Sequence, residues 1–162
     1  FTKAAGSSLR LLQQALLADV GSWCGRLEKL PRTLIHNDFN PRNVALRRGD
    51  EGLRLCAYDW ELATLGVPQH DVAELLCFVL TPPLTREGVL HFVELHRRAL
   101  EKATGQALDM NEAELAFRLS LHDLILNRFP MYAMIHRLRP QRFLDRVIGT
   151  WRALYALFPH RP

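Results

Sequence analysis

No apolar run in the chain is long enough to span a bilayer, and no signal-peptide pattern opens it, so these residues carry no readable membrane address. Cysteine is scarce as well. Cys24, Cys56 and Cys77 are odd in number, far apart and form no Cys-x-x-Cys pair, which argues against a disulfide framework and fits reduced thiols in a cytoplasmic protein. There is no helix-turn-helix, no zinc finger and no basic stripe interleaved with aromatics, so nucleic acid is not an expected partner. His91 and His96 stand five apart, not the four that puts two ligands on one helical face, which speaks against zinc. Internal repeats and low-complexity segments are missing too.

What is present suffices for one domain with a real core: 162 residues, 48% of them hydrophobic. The net charge of +4 is unevenly spread, because from Leu115 onward eight Arg face two Asp. A basic face of this kind reads as a solvated arginine surface or a docking surface.

The periodicity predicts a mainly α protein with a small β-hairpin. Ser7-Ser8 can cap a first helix whose apolar positions Leu9, Leu12, Leu16, Val20, Trp23 and Leu27 form one stripe of about five turns, ended by Pro31. The stripe accounts for Trp23 as a core residue. Thr33 to Ile35 reads as a short strand. Asn43–Arg47, a turn over Arg48–Gly52, and Leu53–Tyr58 read as a hairpin. Downstream, Val72–Leu80 follows a cap at Asp71, and Thr85 caps a helix through Ala103 that Gly105 stops. Asn111-x-x-Glu114 is a capping-box pattern opening a helix through Arg128. A short piece, Met131–Leu138, lies between prolines, and Phe143, Val147, Trp151, Leu154 and Phe158 stripe a closing helix.

The informative stretch is His36-Asn-Asp-Phe-Asn-Pro-Arg-Asn43, followed across the hairpin by Tyr58-Asp-Trp-Glu61. Packing alone explains such a polar knot poorly, and loops held on a scaffold are where binding and catalytic residues concentrate. Asp38 on its turn is free to accept a proton or orient a hydroxyl. Asn43 lies where the loop can fold back toward the same volume, and the hairpin returns Asp59 beside it. One free carboxylate next to Asn and Asp oxygens suits Mg²⁺, which takes few protein ligands and shares the rest with phosphates and water. That is equipment for moving a phosphoryl group onto an alcohol. Trp60 and Leu62 are expected to pack beneath this site.

His36-x-Asp38-x-x-x-x-Asn43 with Asp59-Trp60-Glu61 resembles the catalytic and metal-binding segments of the aminoglycoside phosphotransferase and choline kinase family, small-molecule kinases related to protein kinases. Gly66-Val-Pro-Gln-His-Asp-Val-Ala73 is similar to that family's Gly-x-Pro-x-x-Asp-[Leu/Val]-Ala segment. The resemblance implies Asp38 as catalytic base and Asn43 and Asp59 as holders of Mg²⁺ and, through it, of ATP. It implies His36 as a structural residue bonded to backbone near Asp59, and Asp71 as a brace on the catalytic loop. Acceptor specificity in the family comes from the distal helices, where Asp123 and Asn127 are the polar candidates; solvent exposure or mutual pairing would explain them equally well.

Asn37 departs mildly from the family's usual Gly, since Asn tolerates unusual turn geometry best after Gly. Neither a Gly-rich phosphate loop nor a strand lysine with a helix glutamate precedes His36, and the chain begins at Phe1. The chain therefore reads as the C-terminal lobe of a protein-kinase-like fold, with its N-terminal ATP-binding lobe as the missing partner and with little activity by itself. The acceptor would be a small-molecule hydroxyl, and the sparse acidic residues of the distal helices disfavour a polycationic aminoglycoside. Two other readings stay open: a non-catalytic pseudokinase or helical partner-binding module, and metal-assisted hydrolysis with water as nucleophile.

Overall fold

A computed structural model describes residues 6–50 and 52–159. It is mostly helical, with two small two-stranded antiparallel sheets. Helix α1 (Gly6–Ala18) is followed at once by α2 (Val20–Glu28). The single long helix expected here is broken at Asp19, whose φ of −105° and ψ of 15° leave the helical region. The stripe survives the break, since Leu9, Leu16 and Trp23 are all buried. Trp23 also reaches back across it, its indole N–H donating to the Leu16 carbonyl at 2.9 Å. The backbone is already helical at Gly6, so Ser7 and Ser8 lie inside α1, and the cap expected of their side chains falls outside what is described.

Strand β1 (Thr33–Ile35) leads into the polar loop. Strands β2 (Val44–Gly49) and β3 (Gly52–Ala57) form the hairpin, pairing Val44 with Ala57 and Leu46 with Leu55. A tight 3₁₀ turn (Trp60–Leu62) then precedes β4 (Thr64–Gly66), a strand too short to carry a periodic signal, which pairs with β1. Gly66 sits opposite Thr33, where an added Cβ would come within 2.5 Å of Ile35 Cδ1. The glycine lets the two strands close around the loop between them.

Helices α3 (Gln69–Val79), α4 (Arg86–Thr104), α5 (Met110–Asp123), α6 (Phe129–Leu138) and α7 (Leu144–Leu157) build the body, with α3 packed against α5 and α7. Helix α3 starts at Gln69 behind Pro68, so Asp71 lies in its first turn and does not cap it. Thr85 caps α4 as its sequence predicts, accepting from Gly88 N–H, and Gly105 ends it in the left-handed conformation. The cap of α5 is Asp109, not Asn111: its carboxylate accepts from Glu112 N–H at 3.0 Å.

The helix expected to run to Arg128 changes character at Leu124, where a π-helical turn (Leu124–Arg128) joins α5 to α6. Such turns leave carbonyls off the regular ladder. Trp151 donates to the Leu121 carbonyl at 2.9 Å, which also accepts from Leu124 N–H, and Gln13 donates to the Ile125 carbonyl at 2.9 Å, so packing partners reach the backbone at this join. Phe117, Leu121, Phe129, Trp151 and Leu154 around this join are fully buried and form the centre of the core. Among the described residues no helix is long and apolar enough to cross a membrane.

Candidate active site

The loop between β1 and β2 is held from below by α3. Asn37 sits at φ 58°, the left-handed region in which Asn is among the few tolerated non-glycine residues. That turn directs two consecutive amides at one acceptor: His36 N–H and Asn37 N–H donate to the two Asp71 oxygens at 2.7 and 2.9 Å. Burial would raise the Asp71 pKa, but the neighbouring His70 and these two amides outweigh it and hold the carboxyl below its ordinary value.

His36 is buried. Its Nε2 lies 2.8 Å from the Tyr58 carbonyl, so Nε2 carries the hydrogen and the bond ties the loop to the residue preceding Asp59. Trp60 lies against the His36 ring with centroids 4.7 Å apart. It does not pack beneath the site as expected: about half of its surface is exposed, as is a third of Leu62, and no residue of the 3₁₀ turn is buried.

Asp38 is gripped by three side chains. Asn43 Nδ2 donates to Oδ2 at 2.7 Å, Asn40 Nδ2 to Oδ1 at 3.0 Å, and Tyr132 Oη lies 2.9 Å from Oδ1. Tyr132 Oη is also 2.8 Å from Oε1 of Glu74, a carboxyl with no solvent exposure that accepts from Phe39 N–H and lies 3.5 Å from the buried Arg128. Burial pushes the Glu74 pKa up, against the pull of Arg128 and His70. Tyr132 has one hydroxyl proton for two carboxyl oxygens. That one proton is shared between Asp38 Oδ1 and Glu74 Oε1, so the hydroxyl couples the two carboxyls. Burial together with Glu74 and Asp38 keeps the Tyr132 hydroxyl neutral far above its ordinary range.

Asn40, Glu74 and Tyr132 are absent from the sequence expectation. Glu74 leaves a signal, a lone carboxylate in the apolar run Val72-Ala-Glu-Leu-Leu-Cys-Phe78. Tyr132 leaves none, standing 94 residues from Asp38.

The hairpin returns the chain beside Asn43: Tyr58 N–H donates to the Asn43 carbonyl at 3.0 Å, and Asp59 follows in a left-handed conformation. The Asp59 carboxylate is exposed and bonded to none of the described residues, and Asn43 Nδ2 faces Asp38, leaving its Oδ1 open. No group of three His, Cys, Asp or Glu side chains among the described residues is arranged to hold a metal. The open amide and carboxylate oxygens fit Mg²⁺, which needs one or two protein ligands.

Asn127 donates to Asp123, and Asp123 in turn pairs with His70, whose Nε2 lies 3.1 Å from its Oδ2. They are not among the residues lining the cleft beside Tyr132. His70 is itself buried; burial lowers its pKa, but Asp123 and Asp71 more than reverse this and lift it to about 9. It is thus a cation at neutral pH, placed between the brace Asp71, 4.0 Å away, and α5.

With the loop, its brace and the returning hairpin in one place, the comparison with known families has a physical counterpart. The model of the phosphotransferase enzyme family matches residues 3–110, and the chain belongs to that family. The match takes in the loop, the hairpin, α3 and α4, and stops where α5 begins, so Tyr132 and the distal helices lie beyond it. No curated protein matches the chain.

Proposed function

We propose that the chain is the C-terminal lobe of a kinase-like phosphotransferase that moves the γ-phosphoryl group of ATP to a small-molecule hydroxyl. The observation that carries the reading is Asp38 held rigidly by Asn40, Asn43 and Tyr132, with the oxygens of Asn43 and Asp59 open beside it. Asp38 orients the acceptor hydroxyl and takes its proton; the three donors fix the carboxylate so that little reorganisation is needed during transfer. Asn43 and Asp59 would hold Mg²⁺, which supplies charge neutralisation on the phosphate oxygens when bound. His36 and Asp71 hold the loop in its turn.

Nucleotide cover falls to a separate N-terminal lobe, without which this chain would be inactive. Support comes from the hairpin, whose face carrying Leu46, Leu53 and Leu55 is 57–65% exposed directly beyond Asn43 and offers an apolar surface for such a lobe. The test is Asp38→Asn in the complete protein. Turnover is expected to fall by about 10²–10⁴, the usual worth of a positioned general base, while Mg·ATP affinity stays within twofold. Turnover retained in this variant would overturn the assignment.

A further inference from the structure

Beside Tyr132 opens a cleft of about 360 Å³ lined by Arg42, Tyr132, Ile135, Arg139, Gln141 and Phe143. It adjoins the candidate base, since Tyr132 reaches Asp38 directly and Arg42 follows it on the same loop, its backbone N–H and Nε both donating to Asn40 Oδ1. The lining contains two guanidinium groups and no carboxylate. The Arg42 guanidinium lies over the Phe143 ring, 4.7 Å from its centroid. Beyond the Nε bond, its nitrogens bond to none of the described residues, and the Arg139 side chain has no hydrogen bond or ion pair among them. The two carboxyls bonded to Tyr132 have other partners, Glu74 in Phe39 N–H and Arg128, and Asp38 in Asn40 and Asn43.

Resting on the phosphotransfer reading above, we propose that this cleft binds the acceptor and that the acceptor is a small hydroxylated anion. Its anionic group, a carboxylate in the simplest case, sits on Arg42 and Arg139 while its hydroxyl points to Asp38. Two guanidiniums with no carboxylate beside them in the lining repel a polycationic or quaternary-ammonium acceptor and match an oxyanion through charge-assisted hydrogen bonds. Ring faces at Tyr132 and Phe143 accept a planar or apolar body between the two ends.

The test is equilibrium binding to the complete protein, by ligand-observed NMR without ATP, of three probes that share one ring and one hydroxymethyl group. They are 4-(hydroxymethyl)benzoate, the neutral 1,4-benzenedimethanol and the cationic 4-(aminomethyl)benzyl alcohol. The benzoate is expected to bind at least about tenfold tighter than either of the others, the worth of a charge-assisted hydrogen bond. Arg139→Gln, an exposed position that leaves the fold intact, is expected to erase that preference without changing Mg·ATP affinity; Arg42→Gln is expected to do the same.

Equal binding of the three probes, no binding by any, or preference for the amine overturns the proposal. So does a preference retained in both variants, or a loss confined to Mg·ATP binding, which would give the arginines to the nucleotide. None of these outcomes touches the Asp38→Asn turnover test, so the charge of the acceptor and the reaction class stand or fall separately.

Discussion

Replacing Asp71 by Asn tests whether one carboxylate below the loop holds the whole site in shape. The substitution keeps the side chain's size but leaves a single acceptor oxygen for two amides that now donate at 2.7 and 2.9 Å. One charge-assisted bond is lost, and its amide faces an NH₂ group in a largely buried place. A hydrogen bond to a charged group contributes about 1.5–3 kcal/mol and an unmet buried donor costs about 1–3 kcal/mol, so about 3 kcal/mol of total destabilisation is a conservative sum. The variant also removes a negative charge 4.0 Å from His70. Urea denaturation at pH 7 should show it as a midpoint shift of about 1.5 M, given a slope near ~2 kcal/mol/M for a domain of this size. In the complete protein the same variant should lower turnover, because the left-handed turn at Asn37 loses the grip that offsets its strain. A stability change below about 0.5 kcal/mol, the range of ordinary surface substitutions, would refute the brace.

Stability should also fall as pH rises from 6.5 to about 9, because folding lifts the His70 pKa across that window. The folded state holds the proton that the unfolded state releases, so the stabilisation is complete below pH 6.5 and gone above about 9, up to about 3 kcal/mol in all. Asp71, Glu74 and Asp123 face the ring, and His70→Gln should flatten the dependence; an unchanged slope in that variant would assign it elsewhere. Tyr132→Phe should lower kcat about tenfold with nucleotide affinity unchanged, since it removes a donor from the candidate base and a partner from buried Glu74. A kcat within twofold of wild type would remove Tyr132 from the machinery. Asp109→Ala should cost about 1 kcal/mol as a lost helix cap, whereas Asn111→Ala should stay within about 0.5 kcal/mol. The reverse order in thermal denaturation would restore Asn111 as the cap.

The loop was legible because its chemistry is local. His36 to Asn43 lie within eight residues, and a hairpin that brings Asp59 back needs only alternation and a Gly-containing turn. The glycine, proline and aspartate of Gly66–Ala73 resolve into separate physical needs: close strand approach at Gly66, a helix start at Pro68, and a carboxylate aimed at two amides at Asp71. Periodicity missed what it cannot encode. The break at Asp19 leaves the spacing of Leu16, Val20 and Trp23 unchanged, so the pattern reads straight through it. Strand β4 has three residues, below any two-residue period that could be counted. Asp109-x-x-Glu112 and Asn111-x-x-Glu114 satisfy the same capping pattern, and only the structure chooses between them. The grip on Asp38 depends on Tyr132 in α6, a partner brought near only by tertiary packing, α3 against α5 and α7 and α6 against the π turn and α7.

The measurement that bears most directly on the account is ³¹P NMR of the complete protein with Mg·ATP and a panel of small hydroxyl compounds, run beside Asp38→Asn. Phosphotransfer with Asp38 as base predicts that the γ-phosphoryl resonance is replaced by a phosphomonoester of one acceptor, with ADP formed in equal amount, and that Asp38→Asn shows neither within the same time. Inorganic phosphate alone would make the protein a hydrolase. Equal rates in the two proteins, or nucleotide left intact with every acceptor, would contradict Asp38 as the base of a phosphotransfer.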